Sequence, residues 1–591
     1  MTLVAIGLAA FGMGRPALRQ LRPALNDRLA VAVWSLALGL LIAGLLFLLL
    51  GYVGWLYPEA VVAVSLAALF WALVEFLCVY LGWINGRILN IEHPPLVSQR
   101  VADLPGPIKV AGALAAVVLL ATLVAALAPP TSAEALSHSL AVPKDSLLRH
   151  AIGTIHSTNT LSFAGPRINL VQMWFLWALA LDGPVAANLV HWGLGLLVVL
   201  AAVLLARSLF GRESAVLAGC LVLLCPGVHW QMTVPLEDLG LALFTTLALT
   251  AVCHLFDRRE HGVWPWLGGL ALGGAVAAKP AGLLFAAALA IAWIFGCWSK
   301  GEDGRRQLKA GCRLALVAAL VAGPWILPYG LFPESLERQS IGSALRHLGP
   351  LLLIALLGLA FARPARGLNV VALVFCAYVA LAVSGPASGR WWSAVVPLAS
   401  VLGAWVWQEA DRLPRGHRWI INASAAVVVA MGLVPCGQAA IEASAVACGW
   451  QTRDQFLLSR VPTYRASSLL NQISHQGQDL LCQDSRTFYF TCPATSRLGS
   501  RQVQPADLVS GGEQQWVSVA RASGYSYLLV AQGIEPDSTA AQQQGAGGLS
   551  SVPSHARREE SSAIGEVIPI LEYRFADDNN RYTRYRLLKI R

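Results

Sequence analysis

The residues able to do chemistry in this chain are few, and they fall where greasy runs end. Glu134, His138, Lys144 and Arg149 stand in "TSAEALSHSLAVPKDSLLRHAIG", residues 131–153, directly after "VAGALAAVVLLATLVAALAPP". Glu237 and Asp238 close "PLED", Lys279 sits in "AVAAKPAGLL" and Arg390 in "GPASGRWW". A carboxylate beside a hydroxyl can take its proton, and cations can hold an anion, more strongly where water is excluded. Ionised groups in or beside membrane segments are costly, so each of these is a functional candidate by default. Each also has a plainer reading. Glu134 follows "PPTSA" and could complement the dipole at the start of a surface helix. Asp238 could be a solvated helix cap, while Lys279 could snorkel from a helix end and Arg390 could anchor to lipid phosphate.

The elements that must position these residues are membrane helices. Of 591 residues, 56% are hydrophobic and 13% charged, and the mean hydropathy is +0.58, values that a soluble fold of this size hardly reaches. Charge-free apolar runs are expected to span near 29–56, 59–83, 107–129, 185–206, 214–233, 239–256, 263–278, 280–298, 311–329, 347–362, 368–385, 391–408 and 419–435. A helix is the form that satisfies its own backbone in lipid. The expected fold class is therefore mainly α: a multi-pass transmembrane bundle of about 13 spans, 14 if the opening "MTLVAIGLAAFGMG" also crosses, with a small C-terminal α/β extramembrane domain.

The net charge of +10 does not point to nucleic acid, because the bases are scattered rather than clustered on one soluble face. Arg15 to Arg28, Arg87 to Lys109, Arg207 and Arg212, Arg258 and Arg259, Lys300 to Arg313, Arg363 and Arg366, and Arg412 to Arg418 alternate loop by loop. The positive-inside rule then places those loops in the cytoplasm and the candidate residues outside, in a cell (inner) membrane with the C-terminal domain on the periplasmic side. "NLVQMWFLWALAL", 169–181, is too short to cross comfortably and reads as an interfacial or re-entrant helix with Trp174 and Trp177 at headgroup level. The domain map is 1–106, N-terminal helices; 107–435, a core with external loop 130–168 and interfacial helix 169–183; and 436–591, the external domain.

In that last region "SSLLNQISHQG" and "EQQWVSVARASG" read as helices, and "DLLCQD", "TFYFTC", "YSYLLVAQ", "VIPILEYRF" and "RYTRYRLLKIR" as strands. Residues 538–563 are polar, low in complexity and expected to be disordered. Cys436, Cys448, Cys482 and Cys492 fall on the external side, where "CQDSRTFYFTC" could close a short disulfide loop.

Taken in order, "ALSHSLAVPKDSLLRHAI", "ANLVHWGLGLL", "PLEDLGLALFTTLAL" and "GGLALGGAVAAKPAGLL" resemble the polytopic glycosyltransferases of the GT-C class, in the bacterial group of protein O-mannosyltransferases and the lipid A aminoarabinose transferase. Those relatives typically read Trp-Asp-Ala-Leu-Ser-Tyr-His-Leu at the first loop; Ala133 and Glu134 stand here where Trp-Asp would, and His138 and Ser139 where Tyr-His would. The resemblance implies an inverting transfer of a sugar from a polyprenyl-phosphate donor to a glycan, lipid or protein acceptor at the outer face. By the same match Glu134 is the candidate general base, Asp238 positions acceptor or carrier, Lys279 and Arg390 hold phosphate, and His138 and Lys144 line the loop. Glu carries one methylene more than Asp, and a 1 Å misplacement can cost on the order of 100-fold, so an inactive or re-specialised member fits this loop too. No cofactor is required; a divalent metal is possible, since some GT-C enzymes use one, although no ligand cluster demands it. The competing readings are a transporter or flippase of lipid-linked sugars, which would show broken helices and an inverted repeat, and a catalytically inactive membrane scaffold with an external binding domain.

Overall fold

A computed structural model describes residues 1–21, 25, 27–84, 104–152, 154–155, 161–162, 168–257, 262–299, 304–328, 347–348, 350–361, 368–384, 390–409, 415–474, 478–492, 494–495, 497–498, 501–502, 513–522, 524–534, 567–576 and 582–590. They form two compact units, Met1–Pro130 with Val142–Gln451, and Thr131–Ala141 with Thr452–Arg591.

The first unit is helical because a helix satisfies the backbone of its long apolar runs from within. Its helices are α1 Thr2–Leu21, α2 Arg28–Val53, α3 Pro58–Ile84, α4 Gly106–Ala126, α5 Ala141–Arg149, α6 Leu170–Asp182, α7 Pro184–Phe210, α8 Arg212–Leu224 and α9 Pro226–Met232. They continue as α10 Asp238–Asp257, α11 Trp264–Ala278, α12 Ala281–Ser299, α13 Gly304–Ile326, α14 Leu351–Phe361, α15 Leu368–Ser384, α16 Trp392–Glu409 and α17 Arg415–Ala447. Each expected span falls on a helix except 214–233, which is divided between α8 and α9. Among the described residues seven helices are long and apolar enough to cross a membrane, or eight if α8 and α9 make one bent span. Their 67° bend has a local cause: Pro226 cannot continue the helix and forces Cys225 into an extended backbone, φ −68°, ψ 124°. α3 turns Leu66, Phe70 and Leu73 outward at helical spacing, a face suited to lipid.

α1 lies against α2 at backbone contact. A Cβ on Gly39 would fall 1.7 Å from the Ala10 carbonyl oxygen, and one on Gly14 would fall 1.8 Å from that of Ser35, so small residues set this crossing.

α6 differs from the sequence expectation. Trp174 and Trp177 do not face outward as belt residues would but are wholly buried in the protein, their indole N–H groups donating to the Leu40 carbonyl at 2.8 Å and the Ser65 hydroxyl at 2.7 Å. Buried indoles need such acceptors, and α2 and α3 supply them. The start of α6 is a reciprocal cap: Asn169 Oδ1 accepts from Gln172 N–H at 3.0 Å and Gln172 Oε1 from Asn169 N–H at 3.1 Å.

The second unit begins later than expected. α17 carries the chain past residue 436 to Ala447, and Cys436 is buried within it, its thiol against the Val118 carbonyl at 3.7 Å. The unit then holds α18 Arg453–Arg460, α19 Tyr464–Ile473 and α20 Glu513–Ala522 with a sheet of order β4-β3-β7-β9-β8. Chain order runs from β1 Thr154–Ile155 and β2 Leu161–Ser162, a two-stranded pair in the first unit, to β3 Leu480–Cys482, β4 Ala494–Thr495, β5 Arg497–Leu498 and β6 Arg501–Gln502. β7 Tyr527–Ile534, β8 Val567–Ala576 and β9 Tyr582–Ile590 complete it. β3 pairs parallel with β4 and β7, and β9 pairs antiparallel with β7 and β8. Side chains alternate between two buried faces: Leu480, Cys482, Tyr527 and Leu587 on one, Leu481, Leu528, Val530 and Leu588 against Trp516, Val517 and Ala520 of α20 on the other.

"TFYFTC" is a turn, not a strand. Asn471 of α19 holds it open: its amide donates to the Tyr489 carbonyl at 3.0 Å, and its Oδ1 accepts from the Thr491 N–H at 2.8 Å. Asn471→Ala should lower stability by about 1 kcal/mol, the lower end because Thr491 is exposed, and thermal unfolding of the full chain would read it. Cys482 and Cys492 share one core as free thiols, so the disulfide that the spacing allowed is not formed. The expected disordered insertion, 538–563, lies outside the described residues.

This unit also buries phenols. Burial and the neighbouring Asp484 carboxylate, which accepts the Tyr585 hydroxyl at 2.8 Å, push the Tyr585 ionisation well up. Burial and the Asp454 carboxylate raise Tyr464 to about 12. A raised folded value favours the neutral phenol, so the Tyr464 contribution to stability is complete below the ordinary value of 10.0 and is lost as pH rises to about 12. Alkaline titration followed by phenolate absorbance should show both tyrosines ionising late, and Tyr464→Phe should remove part of the loss of stability in that window.

Candidate functional site

Three of the singled-out residues meet in the first unit. Asp238 is the first residue of α10, Lys279 follows the last residue of α11 in extended backbone, and Arg390 stands two residues before α16. Lys279 Nζ lies 2.5 Å from Asp238 Oδ1 and Arg390 Nε 2.8 Å from Asp238 Oδ2. The Asp238 side chain is 0% exposed, that of Lys279 15% and that of Arg390 9%. A carboxylate so buried is tolerable only when paired. Here each oxygen takes its own cation, and the start of α10 adds its dipole.

The cations are held in place as well. The Arg390 guanidinium lies 5.5 Å over the Trp230 ring. Trp230 meets the His347 ring at 5.5 Å, and His347 stacks on Trp392 at 4.7 Å. Gly227 makes room for this column, since a Cβ there would lie 2.3 Å from Trp392. Ser393 Oγ donates to the Arg390 carbonyl at 2.9 Å and the Tyr378 hydroxyl to that of Trp391 at 3.0 Å.

Two polar pairs surround the ion cluster. Glu237 is buried and its Oε1 accepts from Gln172 Nε2 at 3.1 Å. Gln172 was not among the sequence candidates, although a polar residue three places after Asn169 at the head of an apolar helix is a capping signal. His191 pairs through Nδ1 with the Gln231 carbonyl at 2.7 Å, as a packing histidine does. His191 Nε2, the Gln231 side-chain amide and Asn188 Oδ1 are buried without a hydrogen-bond partner, an uncommon concentration for lipid-embedded helices.

Two cations on one carboxylate leave a unit of positive charge in the triad. That suits an anion that develops or binds at these helix ends. It does not suit a divalent metal, which the adjacent ammonium and guanidinium would repel. Among the described residues no group of three or more His, Cys, Asp or Glu is placed to hold one.

Glu134 and His138 stand in residues 131–141, which belong to the second unit. Glu134 is exposed and opens a wide π-helical turn, Ala135–Ser139, in which Leu140 N–H donates to the Ala135 carbonyl at 2.9 Å. Its side chain makes no capping bond there, and its place at the N-terminal end of the turn is the one that the dipole reading requires. Ala135, Leu136 and Leu140 are 0% exposed, and the Leu136 carbonyl accepts from Phe488 N–H at 3.2 Å. The segment is thus built into the fold of the C-terminal unit. Lys144 is half-buried on α5 of the first unit.

Residues 185–333 match the family model of dolichyl-phosphate-mannose-protein mannosyltransferase. The matched stretch runs from α7 past α13 and contains Asp238, Lys279 and three of the four resembling motifs, the loop motif at 135–152 lying outside it. The fold is similar to that of ArnT from Cupriavidus metallidurans bound to undecaprenyl phosphate: 14% identity, 81% of this chain and 98% of that one, TM-score 0.49. It is also similar to the archaeal oligosaccharyltransferase AglB from Archaeoglobus fulgidus in complex with an inhibitory peptide and a dolichol-phosphate: 11% identity, 71% of this chain and 69% of that one, TM-score 0.44. No curated protein matches the chain.

Proposed function

We propose that this protein is a GT-C membrane glycosyltransferase that moves a sugar from a polyprenyl-phosphate donor to an acceptor hydroxyl at the outer face of the membrane, with inversion at the anomeric carbon. The observation that carries the reading is the buried pairing of Lys279 and Arg390 on Asp238, at helix ends within or beside the segment matched to a polyprenyl-phosphate-sugar transferase family. About 13 spans then cross the inner membrane in the sense set by their basic loops, with the C-terminal domain outside.

In this reading the acceptor oxygen attacks the anomeric carbon while its proton passes to the Glu134 carboxylate. The bond from that carbon to the phosphate oxygen breaks, and polyprenyl phosphate leaves with the electron pair. Lys279 and Arg390 stabilise the charge that grows on the phosphate, and Asp238 keeps both cations aimed. His138 and Lys144 line the loop that presents the acceptor, a glycan, lipid or protein. No step runs through a metal.

The break between α8 and α9 favours a second reading, a transporter of lipid-linked sugars, because broken helices line transport sites. Proteoliposomes loaded with labelled polyprenyl-phosphate sugars separate the two. Transferase activity moves label onto an acceptor; a transporter moves intact donor across the bilayer, and that result without glycosylation of any acceptor would reject the proposal.

A further inference from the structure

The first unit carries a cavity at the end of its helices remote from Asp238. α16 starts beside Arg390 and ends near Gln408, 18 residues or about 27 Å away. There a slot of about 540 Å³ opens between α4, α8, α14, α16 and α17, lined by apolar side chains such as Leu114, Leu221, Leu224, Ala425 and Val429. A neighbouring cavity of about 350 Å³ shares Leu217, Trp407 and Asn422 with it and adds Glu213, Ser214 and Gln408. The shared walls make one slot with an apolar depth and a polar mouth. Direction along the helices agrees on every wall: Glu213 and Ser214 begin α8 and Leu224 ends it, while Asn422 precedes Val429 on α17.

The size is that of a small-ligand site, and an apolar depth of this kind gives water too few partners to settle. In a bilayer the matching filler is a hydrocarbon chain. The mouth decides which lipid. Among the described residues Glu213 is the one side chain lining either cavity that is charged at neutral pH, and the Ser214 hydroxyl is hydrogen-bonded to the Gln408 amide oxygen. A carboxylate among neutral groups attracts an ammonium and repels an anionic headgroup. We propose that this slot holds one acyl chain of a zwitterionic aminophospholipid, its ammonium at Glu213, at the end of the bundle opposite the ion cluster. The site does not depend on the transferase reading.

The test places full-length protein in nanodiscs containing phosphatidylethanolamine with a photoactivatable acyl chain, or phosphatidylglycerol with the same chain, and maps attachment by peptide mass spectrometry. Phosphatidylethanolamine should label 217–224 and 425–429 in preference to phosphatidylglycerol. Glu213→Gln should cut that preference about three- to fivefold, the scale of a partly exposed ion pair. Ala111→Trp, which fills the slot, should abolish labelling there while the outward Leu66–Leu73 stripe of α3 still labels. If that variant does not fold, the headgroup comparison and Glu213→Gln decide alone. Equal labelling by both headgroups, an unaltered preference in Glu213→Gln, or stronger labelling of these helices by a photoactivatable polyprenyl phosphate would overturn the proposal.

Discussion

Glu134→Gln should abolish transfer while the protein still inserts and folds. The amide keeps the shape and most of the hydrogen-bonding reach of the carboxylate but cannot accept the acceptor's proton, so a loss on the order of 10²- to 10⁴-fold in turnover is expected. Because the side chain is exposed, its replacement should change the unfolding temperature far less than it changes turnover. Acceptor KM should move little, since the lost interaction belongs to the transition state. Shortening the arm with Glu134→Asp tests geometry separately from charge: a carboxylate displaced by one methylene should lose about 100-fold. Full transfer by the Gln variant would remove Glu134 from the chemistry. An equal loss in the Gln variant and in a variant that unfolds the turn, such as Leu136→Asp, accompanied by lower stability in both, would make the segment a scaffold instead.

How much of this was legible in the sequence depends on which physics decides each feature. Asp238, Lys279 and Arg390 were visible because charge next to hydrocarbon is rare and expensive, so a bare inventory finds them. That one carboxylate takes both cations was not visible, because it depends on the packing of α10, α11 and α16, elements separated by up to 152 residues. The Trp174 and Trp177 indoles illustrate the limit of composition: aromatic residues near a membrane surface usually face headgroups, but acceptors on α2 and α3 drew these two inside. The turn at residues 487–492 failed for a similar reason. Its consecutive aromatics have strand propensity, yet the Asn471 side chain satisfies the backbone groups that a partner strand would have paired. The late start of the second unit follows from α17, whose hydropathy falls after residue 435 while its helical hydrogen bonding continues to Ala447.

The ion cluster yields the other large expected effect. Asp238→Asn leaves Lys279 and Arg390 facing each other around a neutral amide, each largely out of water. Breaking a buried ion pair from one side strands its partner, and about 3–5 kcal/mol of stability is expected to go with it. A lower unfolding temperature in detergent or nanodiscs would show it. The loss should be partly recovered by also removing one cation: Asp238→Asn with Lys279→Met returns the triad to its original net charge, and the coupling between the two sites should reach roughly 0.5–3 kcal/mol. Transfer separates structure from chemistry in the same set. If Lys279 and Arg390 stabilise the departing phosphate, the double variant regains stability but stays slow, because a cation has been lost. If instead the double variant recovers both stability and turnover, the cluster is a structural clasp between helix ends and the phosphate is held elsewhere.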